Sequence, residues 1–141
     1  MTSLSIVPFG IYTARVERPD FVGDTPRGRR MVVGIRDARW EGEEFSASQC
    51  GDTAADWLIQ GPDGTAMFDV RMSLRADDGA FVFVEYQGRA DWSAGPGTSD
   101  GYIGPRFETG DERYLWMNKV QFVGSGGLRG DRVEYQVFRL A

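Results

Sequence analysis

The sequence predicts an all-β domain: a single antiparallel β-barrel, with a β-sandwich as the alternative closed arrangement. Three observations carry this. Apolar and polar residues alternate along several segments, glycine-rich turn signals separate those segments, and no stretch of helical length shows a helical period. The 141 residues suit one domain spanning 1–141, and 41% apolar content is enough for a core without disulfides.

Phe9–Glu17 and Arg30–Trp40 are the first expected strands, the second interrupted at Gly34, where glycine suggests a bulge. Glu44–Gln49 and Asp56–Gln60 follow; the run Ala54-Ala55-Asp56-Trp57-Leu58 is too short for more than a helical turn. After the turn Gly61-Pro62-Asp63-Gly64, Phe68, Val70, Met72 and Leu74 alternate with Asp69, Arg71, Ser73 and Arg75, so Thr65–Arg75 is a strand. The turn Asp77-Asp78-Gly79 joins it to Ala80–Arg89 in a hairpin. Arg113–Val123 and Arg132–Leu140 complete the set, joined by the glycine-rich loop Gly124–Gly130. The segment Ala90–Gly104, with Trp92 and Tyr102 among glycines, is expected to be a loop that gates a pocket. Strands connected by hairpins in this way suggest a calycin-like or related closed sheet.

Composition excludes more than it assigns. With 16 Lys+Arg against 21 Asp+Glu, the net charge of −5 makes nucleic acid a poor partner. The cluster Arg27, Arg29, Arg30 reads as a solvated loop beside a turn. No apolar run reaches the ~18 residues of a membrane helix, and the N-terminal residues lack a signal peptide's basic start, so no membrane partner and a cytoplasmic location are expected. Histidine is absent, which removes Ser-His-Asp and Cys-His catalysis and the usual zinc, copper and iron ligand sets. Cys50 is the one cysteine and reads as an inert thiol, and Lys119 is the one lysine for Schiff-base chemistry. Gly124–Gly130 lacks the ending of a phosphate-binding loop, and Asp63, Asp77, Asp78, Asp111 and Glu112 lie in separate turns without calcium-loop spacing. No metal or cofactor is therefore expected. Proton transfer falls to carboxylates, tyrosines, Cys50, Lys119 or water.

Three groups are candidates for that chemistry. Asp69 and Arg71 share a strand face, where Arg71 holds Asp69 ionised or orients a substrate oxygen, unless the two form an ordinary solvent-facing pair. Glu85 shares a face with Phe81 and Phe83, and a carboxyl buried there would have its proton affinity raised; the alternative is a place at an exposed strand end. With Ala80 opposite Arg75, Asp69 and Arg71 fall opposite Tyr86 and Val84, which leaves the direction of Glu85 open. Tyr114, Trp116 and Asn118 share a face with Val120 and Phe122, a pattern suiting either a ligand cavity or a satisfied core. Trp57 and Tyr86 are added to Tyr114, Trp116 and Asn118 as substrate-binding residues.

The ordered set Ala55-Asp56-Trp57, Gly61-Pro62-Asp63-Gly64, Asp69-Val70-Arg71, Leu74 to Gly79, Gly88-Arg89, Pro105 to Gly110, Tyr114 to Asn118 and Phe122-Val123-Gly124 resembles the family known as domain of unknown function 3237. The resemblance runs from near Pro8 to near Phe138. It implies an antiparallel β-barrel and brings no settled activity. Met72 stands where the family pattern has tyrosine.

The function expected from the residues is binding of an apolar oxygenated small molecule, with cofactor-independent lyase, isomerase or cyclase chemistry. Asp69 or Glu85 would move the proton, and Arg71 and Asn118 would stabilise developing charge. A non-catalytic binding protein and a structural oligomerisation module are the alternatives, and a homodimer is left open.

Overall fold

Side-chain alternation builds the strands, and their inward halves build the core. In the computed structural model, which describes residues 2–141, the chain forms β1 (Ile6–Val16), β2 (Asp20–Thr25), β3 (Gly28–Glu41), β4 (Ser46–Gln49), β5 (Ala55–Gln60), β6 (Thr65–Ala76), β7 (Phe81–Asp91), β8 (Gly101–Ile103), β9 (Arg106–Glu108), a 3-10 helix (Glu112–Lys119), β10 (Phe122–Arg129) and β11 (Arg132–Leu140). Antiparallel pairing closes the sheet through eight positions: β1, β3, β5, β6, β7, β8, β10 and β11, returning to β1. The barrel expected from the sequence is the one found. β4 continues the position of β5 by pairing with the far ends of β3 and β6, and β9 does the same for β8 along β7. β2 folds back on the first half of β3, outside the ring. Among the described residues, no helix is long and apolar enough to cross a membrane.

The hairpin β6–β7 shows how pattern becomes packing. Ala66, Phe68, Val70, Met72 and Leu74 are buried, as are Val82, Val84 and Tyr86 opposite them. Each fully buried Val, Leu or Met side chain contributes about 1.5–3 kcal/mol. The turn works because Gly79 takes φ +98°, a conformation costly for any residue with a Cβ. The register differs from the expected one by a residue: Arg75 pairs with Phe81, so Asp69 faces Gln87 and Arg71 faces Glu85.

Four further expectations are corrected. Arg113–Val123 is not a strand; Glu112–Lys119 is a 3-10 helix begun by Asp111, whose side chain accepts from the Arg113 N–H. Gly124–Gly130 is largely strand β10 rather than a loop. There the glycines let two backbones close in: a Cβ on Gly126 would lie 1.9 Å from the Glu134 carbonyl oxygen. The bulge in β3 is at Asp37 (φ +56°), where Thr13 pairs with Arg39 and Arg15 with Arg36, and not at Gly34. Ala90–Gly104 narrows to a shorter loop between Asp91, which ends β7, and Gly101, which begins β8.

The barrel has a stoppered end and an open end. At the first, Phe9, Phe45, Phe107 and Phe122 form a ring cluster, with Phe9 and Phe122 centroids 4.8 Å apart. The 3-10 helix covers it and buries Met117 completely. A β1 bulge between Pro8 and Gly10 turns Phe9 inward as well as Tyr12. Midway along the interior, Tyr12 stacks on Trp40 at 4.1 Å and lies beside Tyr135 at 6.0 Å, forming a floor. Above that floor the barrel is hollow.

Candidate active site

The hollow is a cavity of about 370 Å³, lined on the walls by Val33, Leu58, Phe68, Tyr86, Val133 and Tyr135. That size lies at the lower end of ordinary small-molecule sites. Its mouth is framed by the chain entering β2, by the 92–100 loop and by the β10–β11 turn. Trp92 closes one side, its ring 5.6 Å from Phe68 and its backbone N–H donating to the Gly64 carbonyl at 2.9 Å. Phe21 stands at the rim, 71% exposed.

Among the described residues, Glu17 and Asp131 stand at the mouth, and the carboxyl on the interior wall is that of Asp56. Asp56 lies on β5 in an inward row formed across four strands by Val33, Asp56, Val70 and Tyr86. The β5–β6 ladder pairs Asp56 with Val70 and resumes at Ile59 and Met67. Between these points the Asp56 Oδ1 takes the place of a ladder acceptor, receiving the Asp69 backbone N–H at 2.9 Å. The residue is half-buried because its free face looks into the cavity it lines. Desolvation is the main effect on its acidity and pushes it up to about 7. The Asp69 N–H opposes that rise, and the Asp69 carboxylate on the other side of the sheet adds to it.

Three tyrosines share this interior. The hydroxyls of Tyr12 and Tyr86 are 3.0 Å apart and hydrogen-bonded to each other. Burial pushes the pKa values of Tyr12, Tyr86 and Tyr135 up, and the Asp56 charge adds to the rise in each case. All three therefore remain neutral hydroxyls at physiological pH, able to donate as well as accept.

Of the eight residues singled out from the sequence, Tyr86 lines the cavity. Asp69, Arg71 and Glu85 point outward, because β6 and β7 bury their even-numbered residues and leave the odd ones outside, and Trp57 on β5 lies on the same outer face, between the cavity-lining Asp56 and Leu58. There, Gln87 donates to Asp69 at 3.1 Å, Arg106 donates to Gln87 at 3.1 Å, and Arg106 pairs with Glu85 at 3.2 Å. Arg71 lies over the Trp57 ring at 4.8 Å. Tyr114, Trp116 and Asn118 sit on the 3-10 helix at the stoppered end. The Tyr114 hydroxyl donates to Asp78, and Trp116 packs edge-on to Phe9 at 6.2 Å. Asn118 clasps Thr109 through two hydrogen bonds of 2.9 Å. The expectation that Asp69, Arg71, Glu85, Tyr114, Trp116 and Asn118 converge on one cavity is therefore corrected: the first three lie on the outer face with Trp57, and the last three form an end-plug. Asp56 and Tyr135 line the cavity and were not singled out, and neither was Tyr12, which lies in the floor and reaches the site through its hydrogen bond to Tyr86.

A wider groove lies outside, between the Asp24–Gly28 turn and the Gly61–Gly64 turn. It is open to solvent, and its Asp63 carboxyl is lowered by the Thr65 N–H rather than raised. It lacks the desolvation that distinguishes Asp56.

The chain is thus a closed eight-stranded antiparallel barrel with the Asp56 carboxyl on the wall of an apolar interior. Within that class, the sequence from residue 5 to residue 140 matches the family described as "Protein of unknown function (DUF3237)", and the chain belongs to that family. It is 29% identical over 140 residues to the UPF0311 protein RPA1785 of Rhodopseudomonas palustris, covering 91% of each chain. The crystal structure of RPA1785, described as a conserved protein of unknown function, superposes with a TM-score of 0.89 at full coverage of both chains and 27% identity. A β-barrel-like protein from Acinetobacter baumannii superposes at 0.88 with 23% identity, covering 100% of this chain and 98% of that one. An enzyme from Penicillium herquei superposes at 0.77 with 17% identity, covering 100% and 97%. The last two likenesses are of fold alone.

Proposed function

We propose that this protein is a small-molecule enzyme of the lyase, isomerase or cyclase type, working without a cofactor, in which Asp56 moves the proton. The observation that carries this reading is the Asp56 carboxyl, held near pH 7 on the wall of an apolar cavity large enough for a small ligand. A group poised there gives and takes protons with nearly equal ease, and such a group typically contributes about 10²–10⁴-fold to rate. The role assigned to Asp69 or Glu85 from the sequence passes to Asp56, because an outward carboxylate cannot meet a substrate in the barrel.

The rest of the interior suits an apolar oxygenated substrate. Its skeleton would lie against Leu58, Phe68 and Trp92. Its oxygen would meet the hydroxyl of Tyr86, which Tyr12 orients through their shared hydrogen bond. A neutral phenol aimed at an oxygen that gains negative charge stabilises it most where water is excluded. The 92–100 loop would close over the ligand and complete that exclusion. Among chains of this fold, the one from Penicillium herquei is described as an enzyme, which is consistent with catalysis in such a barrel at the level of fold.

The test has two stages. The neutral dye 1-aminoanthracene should bind saturably and brighten, and Leu58→Trp, which fills the cavity, should abolish this while the circular dichroism spectrum is kept. The protein is then incubated in D2O with an extract of apolar metabolites. The native chain should introduce deuterium into at least one compound, and Asp56→Asn should introduce none. Dye binding without any labelling would favour a non-catalytic binding protein, and no dye binding would favour a structural module.

A further inference from the structure

The charges around the cavity are distributed unevenly. Asp56 is the ionisable carboxyl of the interior, and the other polar side chains on its walls are the hydroxyls of Tyr86 and Tyr135. Three charged residues stand at the mouth: Glu17, Arg18 and Asp131. Glu17 is already matched by Arg36 at 2.7 Å. Arg18 and Asp131 are both exposed and oppose each other in sign, so solvent-screened charge at the rim decides little. Among the described residues, Arg18 at the mouth is the cavity's one cation, and no arginine or lysine lines the walls below it.

That arrangement discriminates between ligands of one shape. A ligand carboxylate or phosphate entering the barrel would lose its hydration and meet a carboxyl, with no cation to pair with it. An uncharged ligand meets hydroxyl donors and a carboxyl that accepts or donates. A cationic ligand pairs with Asp56 and lies against the faces of Phe68, Tyr86, Trp92 and Tyr135, which favour positive charge. We infer that the cavity selects its ligand by charge: it takes uncharged or cationic apolar molecules and rejects anions of the same shape. This rests on the assignment of the cavity as the functional site and narrows the substrate class to molecules without a free carboxylate or phosphate.

Three probes of common shape test it by competition with 1-aminoanthracene: 2-naphthol, 2-naphthylmethylamine and 2-naphthoate. The assay runs at a pH of about 8.5, above the raised value of Asp56, so that its carboxyl is mostly ionised. The expected result is that 2-naphthoate binds at least about tenfold more weakly than 2-naphthol, and the amine at least as tightly as 2-naphthol. In Asp56→Asn, whose side-chain oxygen still accepts the Asp69 N–H, the gap between 2-naphthol and 2-naphthoate should narrow and the amine should lose its advantage. Equal binding of 2-naphthoate and 2-naphthol, or an unchanged gap in Asp56→Asn, would overturn the charge selection while leaving the cavity assignment in place. Failure of 1-aminoanthracene itself to bind removes the cavity assignment, and the charge selection with it.

Discussion

A carboxyl that receives one backbone N–H and otherwise looks into an apolar cavity links stability to pH with a definite sign. Folding raises Asp56 from an ordinary aspartate value near 4 to about 7. Below the ordinary value, both folded and unfolded chains carry the proton and the contribution is fully present. Between the two values the unfolded chain ionises first, and the folded state loses up to about 4 kcal/mol as pH rises to the folded value. Asp56→Asn removes that linkage. Denaturant unfolding of both proteins from pH 4 to 8 should show the native chain losing stability relative to the variant across this window. A constant difference over the window would contradict the burial argument. The buried hydroxyl pair gives a second prediction. Tyr12→Phe leaves Tyr86 without its partner and should lower the unfolding free energy by about 1–3 kcal/mol. Adding Tyr86→Phe should cost less than the sum of the single changes, because the orphaned group is then gone. Asp56 was visible in the sequence as the first residue of an expected strand, in period with Leu58. Trp57 and Ile59 on the other face are equally apolar, so alternation alone did not say which face was inside. Asp69 and Arg71 drew attention by being charged, and charge on one face of an antiparallel strand more often marks the solvent side.

At the scale of elements, the segments with clean alternation were legible and those governed by glycine or by capping were not. The β6–β7 hairpin and β11 could be read because one face is consistently apolar and turn residues bound them. β10 was hidden because Gly124, Gly126 and Gly127 leave no side chains to form a pattern: Gly126 admits the Glu134 backbone, and Gly124 and Gly127 make room for the Ile103 and Asp100 side chains. Gly126→Ala should therefore destabilise by about 2–4 kcal/mol in thermal or denaturant unfolding, since its Cβ would meet the Glu134 carbonyl rather than a side chain able to move. A neutral effect would mean that β10 and β11 can separate without loss. The 3-10 helix misled for a different reason. Tyr114, Trp116 and Asn118 alternate as a strand would, and the signal for the helix was the cap at Asp111 followed by Glu112. The 92–100 loop fell within the segment expected to gate a pocket, and its Trp92, Pro96 and Ser99 do line the cavity. If it closes over ligand, hydrogen exchange of its amides should slow on saturation with 1-aminoanthracene, while the amides of β6 stay unchanged. Equal protection with and without the dye would make it a fixed rim.

For the molecule as a whole, closure of the sheet explains why one end is packed and the other hollow. The same eight strands surround both ends, but the phenylalanine cluster and Met117 fill one, whereas the side chains on the walls of the other, among them Val33, Leu58 and Phe68, leave a cavity above the Tyr12–Trp40 floor. A ligand that binds only the folded barrel must stabilise it: at a free concentration about 100 times the dissociation constant, 1-aminoanthracene should add about 2.7 kcal/mol to the unfolding free energy. Leu58→Trp, with the cavity filled, should show no such gain. The central claim, however, concerns one proton held in that hollow. Carbon-13 labelling of the aspartate carboxyls, with Asp56 assigned by its absence in Asp56→Asn, allows that proton to be titrated directly by NMR. The account predicts a midpoint near 7 for Asp56 that shifts when 1-aminoanthracene occupies the cavity. A midpoint near the ordinary aspartate value of about 4, unmoved by the dye, would contradict it.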